Sequence, residues 1–439
     1  MDTYITPSIL SGSQPISNAK MELFESPYTD LSLDQGEYVS YSPTDVGRRH
    51  IEWRIDPLNQ YFDPQRAHIR LVVKVTKANG DDLTAGDDTI GFVNNIGASL
   101  IKNASLEMNG ILLTLQTDSY SYKNYIKNLL SHPQESQESY LQCGGWHKDT
   151  AGHMEVHKAT GEGATNLGFV ERYSYSALSR EFGLVIPLDL DVLQTDRYIV
   201  NKVGLKLRLE LNKDEFALMG GGMYTVSANP LLRLYQVTPV PSVAVDHNNE
   251  MRLNALAKYP VATVVVKTRV IPQGVQLYTC DNLFNGLVPK RLVVGMVRHA
   301  AYTGSYELNP YNFQFPKVER IALQVDGNET PWKNIRNIGP ESVDEYHMLH
   351  VGVNGSALHK GLNISRREFF NGYTLLVYDM TKPGNAGSGY IHPQYKGNTS
   401  LEFTFTEATT QILTVVLYAE FDNNMEMDLM RRVMYTITA

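Results

Sequence analysis

The residues with the most chemical capacity sit in one Gly-rich stretch, Cys143-Gly-Gly-Trp-His147 followed by His153 and His157. A thiolate and three imidazoles are zinc-type ligands, and a loop can gather them. Their spacings match no standard zinc finger, which leaves a polar loop as the plain reading. His153-Met154-Glu155 also makes a His-x-Glu pair, the arrangement with which jelly-roll oxygenases hold iron when a later strand adds a second His. Here the pair falls in a loop, and the next histidine, His247, falls where a helix begins. No Gly-x-Ser-x-Gly elbow, phosphate loop or dinucleotide fingerprint is present. Asp189 and Asp191 alternate on one strand face and read as a solvated edge. No catalytic or cofactor residue is assigned and no enzyme is expected; Cys143, His147, His153 and His157 stand as the weak metal candidates.

The elements that would position such a loop are strands. Leu205, Leu207, Leu209 and Leu211 alternate with Lys206, Arg208 and Glu210, and Leu401, Phe403 and Phe405 alternate with Glu402, Thr404 and Thr406. Leu413, Val415, Leu417, Ala419 and Phe421 repeat the device. A period of two puts one face of a strand in a core and the other in water. Further strands are expected at Ile51–Ile55, Ile69–Val75, Phe182–Pro187, Leu231–Val237, Thr263–Ile271, Arg291–Val297, Arg320–Val325 and Tyr373–Tyr378. Asn109-Gly110 marks a hairpin. The period shifts to a helix at Tyr122, Tyr125, Ile126, Leu129 and Leu130, with Asp118 placed to cap it, inside a long excursion that reads as decoration of a sandwich end. A second helix is expected over Asp246–Lys258, stopped by Pro260, as a connector. Turn-punctuated strands without a βα alternation predict an all-β chain of two tandem sandwiches. Residues 1–47 read as an extended N-terminal arm, 48–250 as the first sandwich and 251–439 as the second.

Length and composition agree with this plan. A chain of 439 residues with 42% hydrophobic and 20% charged residues suits two globular units. The net charge of −8, without a dense Lys/Arg run, argues against strong direct nucleic-acid binding. Two cysteines give no disulfide framework. No secretory signal is expected at the N-terminus, and no apolar run approaches the roughly 20 residues of a membrane span.

Several stretches carry a family resemblance. Asp281-Asn-Leu-Phe-Asn-Gly-Leu-Val-Pro-Lys-Arg-Leu-Val-Val-Gly-Met296, Asn309-Pro-Tyr-Asn-Phe313, Ala322-Leu-Gln-Val-Asp-Gly327, Asn371-Gly-Tyr-Thr-Leu375, Tyr378-Asp379 and Tyr418-Ala-Glu-Phe-Asp422 occur in order in the second half. In the first half, Met21-Glu-Leu-Phe-Glu-Ser-Pro27, Tyr41-Ser-Pro43, Tyr122–Leu130, Lys148-Asp-Thr-Ala-Gly152 and Asp196-Arg-Tyr-Ile-Val-Asn-Lys-Val203 continue it. Together they resemble the major capsid proteins of Polinton elements and adintoviruses over most of the chain; the Cys143–His157 loop departs most from the pattern. The resemblance implies a double jelly roll, a homotrimer of pseudo-hexagonal outline and an icosahedral shell. It also implies penton and minor capsid proteins as partners, a virion location, no cofactor and no catalysis. The polar loops Ala300–Pro316 and Glu329–Ser365 are expected on the outer surface and in trimer contacts, and the Met-rich tail from Met425 either in adaptable contacts or as a last core strand. The alternatives are a cupin-like metal enzyme and a carbohydrate-binding sandwich.

Overall fold

The computed structural model describes residues 21–436, apart from 22, 25, 27, 28, 116, 334, 340, 341, 356–360, 388 and 389. Two β-sandwiches follow one another. The first is built from β1 (Leu33–Tyr41), β2 (His50–Ile55), β3 (Tyr61–Thr76), β4 (Ile101–Met108), β5 (Ile111–Leu112), β6 (Phe182–Pro187), β7 (Leu205–Leu211) and β8 (Leu231–Pro239). Its sheets run β1-β8-β3-β6, with the short strand Met223–Val226 also paired to β3, and β2-β7-β4-β5, with Asp45–Val46 paired to the free edge of β2. The second uses β9 (Ala257–Ile271), β10 (Leu277–Cys280), β11 (Arg291–Arg298), β12 (Val318–Val325), β13 (Asn328–Glu329), β14 (Leu376–Asp379), β15 (Thr399–Phe405) and β16 (Leu413–Met427). These pair as β9-β16-β11-β14 and β10-β15-β12-β13. Adding eight to each strand of the first half gives the second, so the duplication that residue identities hide is written in the strand order. Both halves are jelly rolls, and the long connections in each fall between the fifth strand and the sixth.

Period-two patterning sets the registers. In β7 the four leucines are buried and face Trp53 of β2 and Leu106 of β4 across Leu207. Each such side chain contributes ~1.5–3 kcal/mol by leaving water. The hairpin of β4 and β5 closes through Asn109 (φ 49°) and Gly110 (φ 81°), the left-handed pair that matches strand twist. In β16, by contrast, every residue from Leu413 to Ala419 is buried. Both faces of that sheet are covered, which period-two reading alone does not anticipate.

Among the described residues, four helices of ten residues or more complete the frame: α1 (Tyr120–Ser131), α2 (Leu167–Ser176), α3 (Pro241–Arg252) and α4 (Asp344–Asn354). Three expectations need correction here. Residues 33–41 are not arm but the edge strand β1, paired with β8 along its length; its mostly exposed side chains concealed it. The arm residues 1–20 lie outside the described residues. Asp118 does not cap α1: it takes a left-handed φ of 52° and pairs with Lys102 at 2.7 Å, while Ser119 holds the N-cap position. The connector helix starts at Pro241, whose fixed φ suits a first turn, and ends at Arg252. Pro260 then lies inside β9, an edge strand that tolerates the missing N–H.

Candidate assembly interface

The four metal candidates do not converge. Cys143 is exposed. His147 Nε2 lies 2.9 Å from the Tyr175 hydroxyl, His153 Nδ1 3.1 Å from the Thr165 hydroxyl, and His157 Nδ1 3.1 Å from the Glu155 carbonyl. Among the described residues no group of three or more His, Cys, Asp and Glu is placed to hold a metal ion.

What this loop does is join the two halves. Asp149 and Arg172 of α2 form an ion pair at 2.6 Å with both side chains wholly buried. Arg172 also donates through Nε to the Phe92 carbonyl (2.9 Å) and through Nη1 to the His147 carbonyl (2.6 Å). The Asp149 carboxylate accepts from Asn166 Nδ2 (2.9 Å) and from Asn309 Nδ2 (3.0 Å), and its carbonyl accepts from the Tyr373 hydroxyl at 2.6 Å. A buried charge is tolerable only when paired and hydrogen-bonded in this way. Three of the motifs that carry the family resemblance, at Lys148–Gly152, Asn309–Phe313 and Asn371–Leu375, therefore meet at one point.

Aromatic packing extends the seam. The rings of Tyr125 and Tyr311 stack 3.9 Å apart at 2°, Trp146 lies 5.1 Å from Tyr125, and the Tyr122 hydroxyl donates to the Pro310 carbonyl at 2.9 Å. Such pairs add ~0.5–1.5 kcal/mol each beyond area burial. Tyr122, Tyr125, Ile126 and Leu129 of α1 thus belong to the core of the second half, while Met425 and Met427 of β16 belong to that of the first. The excursion is a wedge between sandwiches rather than a decoration. The loop Ala300–Pro316, expected on the outer surface, is likewise drawn into the seam through Asn309, Tyr311 and Phe313, all wholly buried. The tail from Met425 opens as the end of a core strand.

Asp189 and Asp191 are also displaced from the expected solvated edge. They follow β6 into a turn, where Asp189 is buried. Lys127 pairs with Asp189, and Lys123 with Asp191 at 2.6 Å; the Val264 N–H donates to Asp191 at 3.1 Å. Burial pulls the Lys123 ammonium down, but the two carboxylates outweigh it and hold it above its ordinary value. On the far side Arg291 pairs with Glu420 at 3.1 Å and donates through Nε to the Gly352 carbonyl at 3.0 Å, tying the end of α4 to β11 and β16.

His147 gives the seam a pH dependence. Burial, then the Arg172 guanidinium, push its imidazole down to about 4 from 6.5. Between those values the unfolded chain binds a proton that the folded chain refuses. Stability is therefore complete above pH 6.5 and falls as pH drops through the window, by on the order of 2 kcal/mol after solvent screening. Thermal unfolding from pH 7 to 4.5 is expected to show a shallower acid slope for His147→Gln than for the native chain; parallel slopes would refute the assignment.

The outward face of the β9-β16-β11-β14 sheet is covered by α1, with Ile126 and Leu130 set over Val293 and Tyr418. The same face of the β1-β8-β3-β6 sheet carries no comparable helix among the described residues; the short turn Tyr140–Gly144 packs beside β6. It presents Arg66, His68 and Arg70 of β3, Arg233 and Tyr235 of β8, Tyr38 of β1 and Val185 of β6. Tyr38 meets Tyr235 edge-on at 4.9 Å, and Arg66 lies 4.5 Å over the Tyr235 ring. Arg70 stands in register with Leu231 on one side and Val185 on the other. Among the described residues no helix is long and apolar enough to cross a membrane.

No family model matches the chain. An uncharacterized protein of Caenorhabditis elegans is 24% identical over 392 residues, covering 84% of this chain and 89% of the worm protein. Among solved structures, a chain of the Sputnik virophage, from a 3.5 Å cryo-EM structure, superposes with a TM-score of 0.61 at 11% identity, covering 99% of this chain and 94% of the other. The mavirus major capsid protein gives 0.56 at 11% identity, with 99% and 97% covered. The Faustovirus major capsid protein gives 0.53 at 9% identity, with 92% of each covered. Likeness over nearly the whole of both chains, with a strand order that repeats between halves, makes the fold of this protein a double jelly roll.

Proposed function

We propose that the chain is a major capsid protein of Polinton or adintovirus type, a structural subunit that trimerises into pseudo-hexagonal capsomers tiling an icosahedral shell. The observation that carries this reading is the mismatch between equivalent sheet faces. One sandwich has its outward face covered by the wedge of the other, and the corresponding face of the first carries no comparable helix among the described residues. A second copy that repeats the internal contact covers it, and a third closes the ring, so three copies place six sandwiches around one axis. An obligate interface of this kind buries upward of ~2,000 Å².

The two units divide within α3, at 48–250 and 251–439, with β1 added to the first. The chain works as shell material rather than as a catalyst, in the virion, alongside penton and minor capsid proteins. A net charge of −8 fits a shell whose genome is packed by other components. Light scattering on purified protein tests the proposal. Three copies of 49.3 kDa come to about 148 kDa, and a particle of that mass with a hexagonal outline in negative stain is the expected result. A monomer that persists at high concentration would rule the proposal out.

A further inference from the structure

A groove of about 590 Å³ runs beside the connector helix α3, walled by Tyr61, Val200, Val243, Met251, Leu256 and Tyr259. Its lining is mainly apolar, and Ser32 and Leu33 form its rim. There the Ser32 carbonyl accepts from the Val240 N–H at 3.0 Å, and the Asp30 carboxylate accepts from the Ser32 N–H at 2.9 Å. The chain N-terminal to this rim carries large apolar side chains left in water: Met21 is 71% exposed, Leu23 73%, Phe24 99% and Leu31 73%. A solvated apolar segment and a solvated apolar groove thus adjoin on one molecule, and neither covers the other.

We propose that the groove receives the arm segment centred on Leu23 and Phe24 of a second copy. This rests on the self-assembly reading, and it names a contact that reading does not supply. Apolar surface of this kind marks an interaction site when it gathers in one place. From the rim at Ser32 back to Phe24 the chain spans eight residues, roughly 28 Å when extended and about the diameter of a small domain, so this segment reaches a directly adjoining copy. Each copy places its arm exit at the lip of its own groove. In a closed ring the exchange can then run from copy to copy, which turns two exposed surfaces per chain into one buried contact. The isolated chain leaves Leu23, Phe24 and Leu31 in solvent with the groove beside them, so the occupant is the neighbour's arm and not its own.

The test uses two differently tagged full-length copies expressed together, one with the photoreactive residue benzoylphenylalanine in place of Phe24. The site is almost fully exposed, so folding is unaffected. Illumination is expected to join chains bearing different tags, with the adduct mapping to residues 240–259 of the unmodified copy. Val243→Glu in that copy is expected to cut the yield at least tenfold. Adducts confined to one chain, or joining chains elsewhere, in a sample that runs as a trimer would overturn the arm exchange and leave the assembly reading standing. A sample that runs only as a monomer and gives no interchain adduct would overturn both.

Discussion

Replacing Asp149 by alanine is expected to destabilise the fold by about 3–5 kcal/mol, the cost of leaving one partner of a buried ion pair alone. The Arg172 guanidinium would stay wholly buried, with only the neutral carbonyls of Phe92 and His147 to face. Asn166 and Asn309 would each lose an acceptor in the same place. Asp149→Asn keeps an acceptor oxygen but removes the charge, and is expected to fall between alanine and the native chain. Because Asn309 and Tyr373 reach Asp149 from the second half, the loss also loosens one sandwich from the other. Urea unfolding followed by tryptophan fluorescence, with Trp53 in the first core and Trp146 in the seam, is expected to split from one transition into two for Asp149→Ala. The exposed pair Lys317–Glu407 is the control, and its alanine variants should shift stability by less than ~1 kcal/mol. An Asp149→Ala chain as stable as that control would show that the seam does not hold the halves together.

The sequence made the strands legible wherever one face is wet. Leu205–Leu211 and Leu401–Phe405 alternate as strands with a single buried face must, and Asn109-Gly110 fixed its hairpin by backbone preference alone. Legibility failed where tertiary cover replaces water. Thr414, Val416 and Tyr418 are as buried as Val415 and Leu417, because α1 and the loop after it lie over that sheet. The same cover hid the role of the Cys143–His157 loop. Its Gly and His content reads as mobile and polar, yet Trp146 is buried against Tyr125, and Asp149 is held in part by Asn309, 160 positions away in the sequence. β1 failed for the opposite reason: a mostly solvated edge strand has no apolar face to announce it. Asp189 and Asp191 passed for an exposed edge because charged residues usually are exposed, and the lysines that pay for their burial, Lys123 and Lys127, sit on a helix some 60 residues upstream.

Val185→Glu is expected to weaken the proposed trimer at least ~100-fold while leaving the single chain folded. The side chain is 36% exposed on the outward face of β6, in register with Arg70 of β3. A glutamate there lies within reach of that guanidinium and removes no core contact, so monomer stability should change by no more than ~0.5 kcal/mol. In the proposed assembly the same position is covered by the next copy, and the carboxylate must give up its water there. A loss of at least 100-fold in association corresponds to about 2.8 kcal/mol, within the range for stranding a charge in an interface. Three equivalent contacts close the proposed ring, so the penalty is incurred three times in one particle. Val185→Ala, which trims the contact without adding charge, should keep the trimer within roughly tenfold of the native affinity. Sedimentation velocity across a concentration series separates the outcomes. A Val185→Glu chain that still sediments as a tight trimer would mean that the outward face of the first sandwich is not where the copies meet. That face would then need another occupant, while the covered face of the second sandwich would be unaffected by the result.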